Sequence, residues 1–379
     1  MDLTHTPADE EFRAEARAWL AEHVPDPSLP SLETAEGFAA HRAWEAELAA
    51  DRWSVVSWPE RYGGRDAGLI RWLVFEEEYH AAGAPGRVGQ NGVSLLAPTL
   101  FEHGTEEQRA RVLPSMATGE VVWAQAWSEP EAGSDLASLT SRAVRTAGGW
   151  LLTGQKTWSS RAAFADRAFG LFRSDPDAPK PHQGLTYLMF DLRAPGVTVR
   201  PIGRLDGKPA FAELFLDEVF VPDEDVIGEP GRGWRIAMST AGNERGLTLR
   251  SPGRFLAAAD RLLRLWRARG APESAAARVA DAVVGARAYQ LFTYAAAARV
   301  LDGESLGPES SLNKVFWSEL DLALHETALD LLGAEGESAD SPWSEGYVFS
   351  LAGPIYAGTN EIQRDIIAER LLGLPKGRR

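Results

Sequence analysis

The sequence predicts an α+β protein: a helical block, a β domain of about a hundred residues, then a second helical block. Three observations predict it. Apolar residues recur at helical spacing before Glu120 and again from Gly233 onward. Between Val121 and Val221 the texture changes to short apolar or alternating runs, split by Gly, Pro and Asp turns. The last block holds four helical stretches, enough for a four-helix bundle. The boundaries expected from these shifts are 1–120, 121–228 and 229–379.

The first helix starts at Thr6-Pro7-Ala8-Asp9, where a capping hydroxyl precedes a proline at the first helical position and an acid follows three residues after the cap. Phe12, Ala16, Trp19 and Leu20 then share one face. Further helices are expected over Glu36–Asp51, Ala67–Ala82 and Glu106–Ala117, with the loop SWPERYGG (Ser57–Gly64) between them. The strand-like runs are VVWAQAW (Val121–Trp127), GGWLLTGQKTW (Gly148–Trp158), RAFGLFR (Arg167–Arg173), LTYLMFDL (Leu185–Leu192), VTVRPI (Val197–Ile202) and AELFLDEVFV (Ala212–Val221). Their close spacing argues an antiparallel barrel or sandwich. The helical period returns over Trp234–Arg269, interrupted near Gly246 and Pro252, then over Pro272–Leu301, Ser310–Leu332 and Thr359–Leu372. Gly333 ends the third of these, and Gly373 and Pro375 end the last.

Composition narrows the function. With 39 basic and 54 acidic residues the net charge is -15, which argues against generic binding to nucleic acid or an anionic membrane. There are no cysteines, so thiol catalysis, disulfides and thiolate metal sites are excluded. The start, MDLTHTPADEEF, lacks the apolar core of a signal peptide, and no apolar run reaches membrane-spanning length, so a cytoplasmic location is expected. The seven histidines show no metal-ligand spacing, and no Walker loop, HExxH or GxSxG occurs. Of the 13 tryptophans most are expected in the core, leaving one or two to stack on a planar cofactor.

Five short stretches carry candidate chemistry. WSEPEAGSD (Trp127–Asp135) reads either as a ligand loop with accessible backbone N–H groups or as a plain turn. KTWSS (Lys156–Ser160) reads either as a ring platform with hydroxyls at its edge or as a core tryptophan with surface serines. GEPGRG (Gly228–Gly233) has the wrong spacing for a phosphate fingerprint and reads as a linker. NERG (Asn243–Gly246) is either a solvated Glu-Arg pair or, beside Ile236, Ala237, Met238 and Leu247, a desolvated carboxylate. PIYAGTNEIQR (Pro354–Arg364) has the look of an active-site loop, yet Tyr356–Thr359 offers neither carboxylate nor imidazole.

Taken in order, GTEEQRARVLPSMATGE (Gly104–Glu120), SEPEAGSDLASL (Ser128–Leu139), GQKTWSS (Gly154–Ser160), DEVFVPDEDVIGE (Asp217–Glu229) and YAGTNEIQRDIIAERLLG (Tyr356–Gly373) resemble the acyl-CoA dehydrogenase family, over about Asp9 to Pro375. The resemblance implies an N-terminal helical domain, a middle β domain, a C-terminal four-helix bundle and bound FAD. It implies removal of an α proton and a β hydride from an acyl-CoA thioester. By motif, Trp127, Ser128, Gly133, Ser134, Trp158, Ser159, Ser160, Thr359 and Glu361 are expected at the cofactor, and Ser134, Asn243, Arg245, Tyr356, Ala357 and Gly358 at the substrate. Many family members carry the base directly after the motif tyrosine, where this chain has Ala357; others carry it in a motif similar to NERG, which makes Glu244 the expected base. The resemblance implies that the small Ala357 leaves room for branched or ring-bearing acyl groups.

The sequence departs from the family at Gln125, where an aromatic is frequent. It departs again over Arg264–Val279, which lacks the Arg-x-x-Phe-Gly stretch, and at LDLLGAEG (Leu329–Gly336), in place of Gln-x-x-Gly-Gly. Expected partners are an acyl-CoA or acyl-carrier-protein substrate, an electron-transferring flavoprotein, and a homodimer, tetramer or heteromer. The competing readings are a flavin monooxygenase on the same fold and a non-catalytic partner subunit.

Overall fold

The computed structural model describes residues 5–244, 251–304, 307–338 and 341–377. Helices α1 (Pro7–His23), α2 (Ala35–Ala50), α3 (Gly68–Ala81), α4 (Ala97–His103) and α5 (Glu106–Ala117) come first. Strands β1 (Trp123–Ala126), β2 (Arg142–Thr146), β3 (Gly149–Ser160), β4 (Arg167–Arg173), β5 (Leu185–Asp191), β6 (Val197–Ile202), β7 (Phe211–Pro222) and β8 (Val226–Ile227) follow. Helices α6 (Gly233–Glu244), α7 (Pro252–Ala268), α8 (Glu273–Leu301), α9 (Glu309–Leu332), α10 (Pro342–Ser350) and α11 (Asn360–Ile366) complete the chain. The order helical, β, helical is the one the sequence predicts.

The chain folds as two compact units, Asp26–Asp66 with Pro85–Glu244, and Met1–Pro25 with Ala67–Ala84 and Arg245–Arg379. In the first unit the strands form one sheet of order β6-β7-β3-β2-β4-β5-β8, with β1 added beside β4. Most pairs are antiparallel, but β1 and β4 run parallel, from Trp123 opposite Arg167 to Ala126 opposite Gly170, and β2 meets β4 in parallel at Arg142 opposite Arg173. The expectation of a purely antiparallel domain is corrected there: the chain crosses the sheet between these two strands instead of returning by a hairpin. The buried face is apolar, with Ala124, Ala126, Leu152, Phe172, Leu188, Phe190 and Leu214 packed together.

In the second unit α7, α8 and α9 close around Phe255, Leu262, Tyr289, Trp317 and Leu324. Helix α7 also lies against α3, where Gly253 is required: a Cβ there would stand 2.5 Å from the Glu76 carbonyl oxygen. Helix α1 carries the expected capping box. The Asp9 N–H donates to the Thr6 hydroxyl at 3.2 Å, and the Thr6 N–H donates to the Asp9 carboxylate at 3.1 Å. The last helix is shorter than its periodicity suggests, because Ile367–Leu371 widens into a π turn. The pattern over Trp234–Arg269 divides into α6 and α7, with 245–250 between them outside the described residues.

Candidate active site

The residues selected from the sequence fall into two groups, one in each compact unit. In the unit that contains the sheet, β3 and β7 pair in register until Lys156 opposite Leu214, and resume at Ser159 opposite Ala212. Thr157 and Trp158 therefore face one residue of β7, a β-bulge. Trp158 takes φ 57°, a left-handed conformation that bulky residues rarely adopt. The result is that its ring is turned out of the sheet. It is 60% exposed, meets Phe211 edge to face at 5.8 Å, and is the one tryptophan of the 13 that stands exposed. An exposed tryptophan held by backbone strain has no role in the core and suits a flat ligand.

Trp127 and Ser128 lie beside this ring's strand, because the Thr157 N–H donates to the Ser128 carbonyl at 2.9 Å. The loop that follows is held by a buried ion pair that sequence reasoning missed. Lys156, wholly buried, donates from Nζ to Glu129 Oε1 at 2.8 Å and to the Leu171 carbonyl at 2.7 Å. Glu129 also accepts from the Thr140 and Ser141 N–H groups at 2.6 and 2.9 Å. Burial pushes the Glu129 carboxyl up, but the Lys156 charge and these donors outweigh it and hold it down at about 2. Burial lowers the Lys156 ammonium to about 8 against the opposing pull of Glu129, so the pair is charged at neutral pH. A signal existed in the sequence. Lys156 has the same strand parity as buried Leu152, so it had to point inward and find an acid.

Gly133 and Ser134 are exposed, and the space around the Gly133 α carbon is open. The two serines after Trp158 differ. Ser160 is partly exposed, whereas Ser159 is buried, its hydroxyl oxygen without a partner. Beyond them Arg161 turns the chain at φ 55° and donates from Nη2 to buried Glu33 at 3.0 Å. Gln125 Nε2 is buried without a partner. An exposed flat ring, an accessible serine on each adjoining strand end and orphaned polar atoms at Gln125 and Ser159 fit a large heteroaromatic group with hydrogen-bonding edges, such as a flavin. Of the two serines, Ser160 is the partly exposed one and Ser159 the buried one.

The helical unit holds the other group. Tyr356, Ala357 and Gly358 form a turn with φ 56° at Ala357 and 76° at Gly358. Gln363 sets it by donating from Nε2 to the Ala357 and Gly358 carbonyls at 3.0 and 3.4 Å. The Ala357 and Gly358 N–H groups donate to nothing among the described residues. Tyr356 packs on Trp317 at 5.9 Å and Phe349 at 6.4 Å. Thr359 caps α11 by accepting from the Ile362 N–H at 3.2 Å, and Glu361 is fully exposed beside it. That carboxylate is held below its ordinary range by its own backbone N–H and by Thr359. Below the turn, Arg254 donates to Asp321 at 2.7 Å. Burial raises the Asp321 carboxyl, but Arg254 and His325 prevail and keep it at about 2.

Asn243 and Glu244 lie in the last turn of α6, with side chains outside the described residues, as is Arg245 entirely. Helix α6 buries Ile236 and Ala237 but leaves Met238 40% exposed, so the apolar surroundings expected near NERG are one-sided. No group of His, Asp or Glu that could hold a metal ion occurs among the described residues.

Residues 6–120, 124–219 and 231–372 match the sequence profiles of the acyl-CoA dehydrogenase N-terminal, middle and C-terminal domains. The chain belongs to the acyl-CoA dehydrogenase family. This acyl-CoA dehydrogenase is 38% identical to the acyl-CoA dehydrogenase IpdE1 of Mycolicibacterium smegmatis, over 97% of this chain and 98% of that one. Its structure is similar to the Tcur3481-Tcur3483 steroid ACAD, with TM-score 0.88, 30% identity and full coverage of both chains. The ChsE4-ChsE5 complex from Mycobacterium tuberculosis is similar at TM-score 0.83 and 27% identity, again over the whole of both chains. The enzyme is thus an oxidoreductase of the acyl-CoA dehydrogenase class, a family that works with FAD. No helix among the described residues is long and apolar enough to cross a membrane.

Proposed function

We propose that the protein binds FAD and dehydrogenates the Cα–Cβ bond of an acyl-CoA thioester, with Glu244 as the base that takes the α proton. Bound FAD supplies the acceptor for the β hydride at N5. Trp158 offers the ring face against which the flavin packs, Ser128 and Ser160 offer hydroxyls to its edges, and Gly133 and Ser134 let it approach the backbone. Ser134, Asn243, Arg245 and Tyr356 line the thioester arm and acyl group. The observation that carries the reading is the strained, acid-free turn at Ala357 in a family that needs a base. Its N–H groups at Ala357 and Gly358 have no acceptor among the described residues and suit a thioester oxygen that gathers negative charge as the α proton leaves. The acid then has to come from elsewhere, and Glu244, in the last turn of α6, is the residue the NERG motif supplies. The division at 1–120, 121–228 and 229–379 belongs to the same reading.

The substrate class follows from Ala357 and from the relatives. A methyl group where others carry a carboxylate leaves room for a ring-bearing acyl chain, and a relative of 30% identity is a steroid ACAD. We place CoA first as carrier, an electron-transferring flavoprotein as acceptor and the cytoplasm as location. The test is anaerobic mixing of the purified protein with straight, branched and steroid-like acyl-CoAs, followed at the flavin absorbance. Bleaching by one class, lost in Glu244→Gln and kept in Ala357→Ser, supports the proposal; bleaching that survives Glu244→Gln refutes the assigned base. The absent acid at Ala357 also favours a second reading, a subunit that works only beside an unlike partner, in keeping with the paired relatives Tcur3481-Tcur3483 and ChsE4-ChsE5. Purification without flavin, cured by co-expression with that partner, would select it.

A further inference from the structure

Three hydroxyl groups lie in the core of the sheet-containing unit, where apolar side chains would pack equally well: Thr99, Tyr187 and Thr240, each 0% exposed. They form one chain. The Trp127 indole Nε1–H donates to the Tyr187 hydroxyl at 3.2 Å. Tyr187 donates to Thr240 Oγ1 at 3.4 Å, Thr240 and Thr99 are 2.7 Å apart, and Thr99 donates to the Leu95 carbonyl at 2.7 Å. The indole N–H only donates, so the Tyr187 hydroxyl accepts there and donates to Thr240. Between Thr240 and Thr99 either hydroxyl can donate, since each also has a carbonyl within reach, Ile236 O at 3.1 Å from Thr240 and Leu95 O at 2.7 Å from Thr99. Such a run is cooperative, because each bond polarises the next. It ties together the end of β1, strand β5, helix α6 and helix α4. Its last acceptor, Leu95, belongs to the π turn Gly92–Leu96, an insertion of a kind frequent at functional sites.

We propose that Tyr187 and Thr240 are positioning residues for the reaction. Through this chain they fix the rotation of α6, which carries Glu244 one turn beyond Thr240, against the β1 end that presents Trp127 and Ser128. The inference rests on the reading of Glu244 as base and of Trp127–Ser128 as flavin contacts. Apolar packing alone would let α6 turn by small angles; a directional bond at Thr240 does not. Replacing hydroxyls by matching apolar groups at both ends of a bond is close to neutral for stability, so the chain specifies orientation more than it adds stability.

The test uses the purified holoprotein with Tyr187→Phe, Thr240→Val and Thr240→Ser. Because a small misplacement of a base costs about tenfold to a hundredfold in rate, kcat is expected to fall by about tenfold or more in Tyr187→Phe and Thr240→Val, while KM stays within about threefold. Thr240→Ser, which keeps the hydroxyl, is expected to restore kcat. Independently of turnover, Tyr187→Phe leaves the Trp127 indole without its acceptor. FAD titration of the apoprotein, read by tryptophan fluorescence, and the flavin band shape should both change. Wild-type kcat, FAD affinity and spectrum in both variants, alongside an inactive Glu244→Gln, would overturn this inference alone. A fully active Glu244→Gln would instead overturn the reading beneath it. Should Tyr187→Phe fail to fold, Thr240→Val against Thr240→Ser decides the matter on kcat.

Discussion

Glu129→Gln is the sharpest probe of the loop that presents the proposed flavin contacts. The substitution keeps size and shape but removes the charge opposite Lys156, which is wholly buried. Two routes give the magnitude. Lowering a carboxyl from 4.5 to about 2 corresponds to a preference of about 3 kcal/mol for the charged form in the fold. Stranding one member of a buried ion pair costs about 3–5 kcal/mol in proteins generally. The Leu171 carbonyl at 2.7 Å still satisfies one Lys156 proton, which favours the lower figure. A loss of about 3 kcal/mol in a unit of this size lowers Tm by roughly 6–12 °C. The assay is calorimetry of the flavin-free protein across pH. A depressed carboxyl pKa contributes stability that is complete above 4.5 and lost as pH falls from 4.5 toward 2. The wild-type advantage over Glu129→Gln should therefore be full at pH 7 and shrink through that window. Glu129→Gln with Lys156→Met should recover most of the loss, since no charge is then left stranded. A Glu129→Gln protein melting within about 2 °C of wild type at pH 7, or a double variant no better than the single one, would refute the argument.

Other outcomes follow from the same geometry. Ala357→Gly relieves a left-handed alanine and is expected to stabilise the helical unit by about 0.5–1 kcal/mol, read as a raised denaturation midpoint; a lowered midpoint would show that the methyl group packs usefully. Trp158→Ala removes an exposed ring and should leave stability within about 0.5 kcal/mol while weakening FAD binding by about tenfold or more, measured by flavin retention on dialysis. Asp321→Asn strands Arg254 and should destabilise by about 3 kcal/mol; its depressed carboxyl makes the effect full above pH 3.8 and vanishing toward pH 2, which urea denaturation at several pH values would detect.

The fold was legible because its signals are local. The Thr6 cap, the alternating strands and the alanine-rich α8 each follow from spacing and turn chemistry, and all appear close to their expected bounds. What escaped depends on partners distant in sequence. The parallel pairing of β1 with β4 leaves no mark in either strand, since nothing in WAQA or RAFGLFR names the partner or its direction. The Glu129–Lys156 pair joins residues in different motifs, and only the parity of β3 hints at it. The Trp127–Tyr187–Thr240–Thr99 chain is less visible still, because Thr99 and Thr240 are 141 residues apart and each reads as an ordinary helical threonine. At the site, the WSS stretch suggested a ring platform, but the bulge that expels Trp158 is a register event between β3 and β7, beyond what β3 alone encodes.

The turn at Ala357 bears on how the proposed base at Glu244 is compatible with an unaltered backbone at this turn. Every hydrogen bond that shapes the turn comes from groups other than the side chain at 357. The Tyr356 N–H donates to the Ala352 carbonyl, the Asn360 N–H to the Pro354 carbonyl, and Gln363 holds the Ala357 and Gly358 carbonyls. Asn360 is itself anchored, its Oδ1 accepting from buried Lys314 at 2.8 Å and from Ser318 at 3.1 Å. An acid at 357 would therefore be free to appear or vanish without altering the backbone. Yet the backbone at 357 remains left-handed, a conformation alanine adopts at a cost of roughly 1–2 kcal/mol. Strain kept in the absence of any reactive side chain means that the backbone direction is what the turn supplies. Among the described residues the N–H groups of Ala357 and Gly358 have no acceptor, and that direction exposes them. An Ala357 to D-alanine replacement by semisynthesis isolates this point, because it removes the strain while holding the N–H vectors. Unchanged turnover with raised stability is expected, and a loss of turnover would assign the role to the methyl group instead.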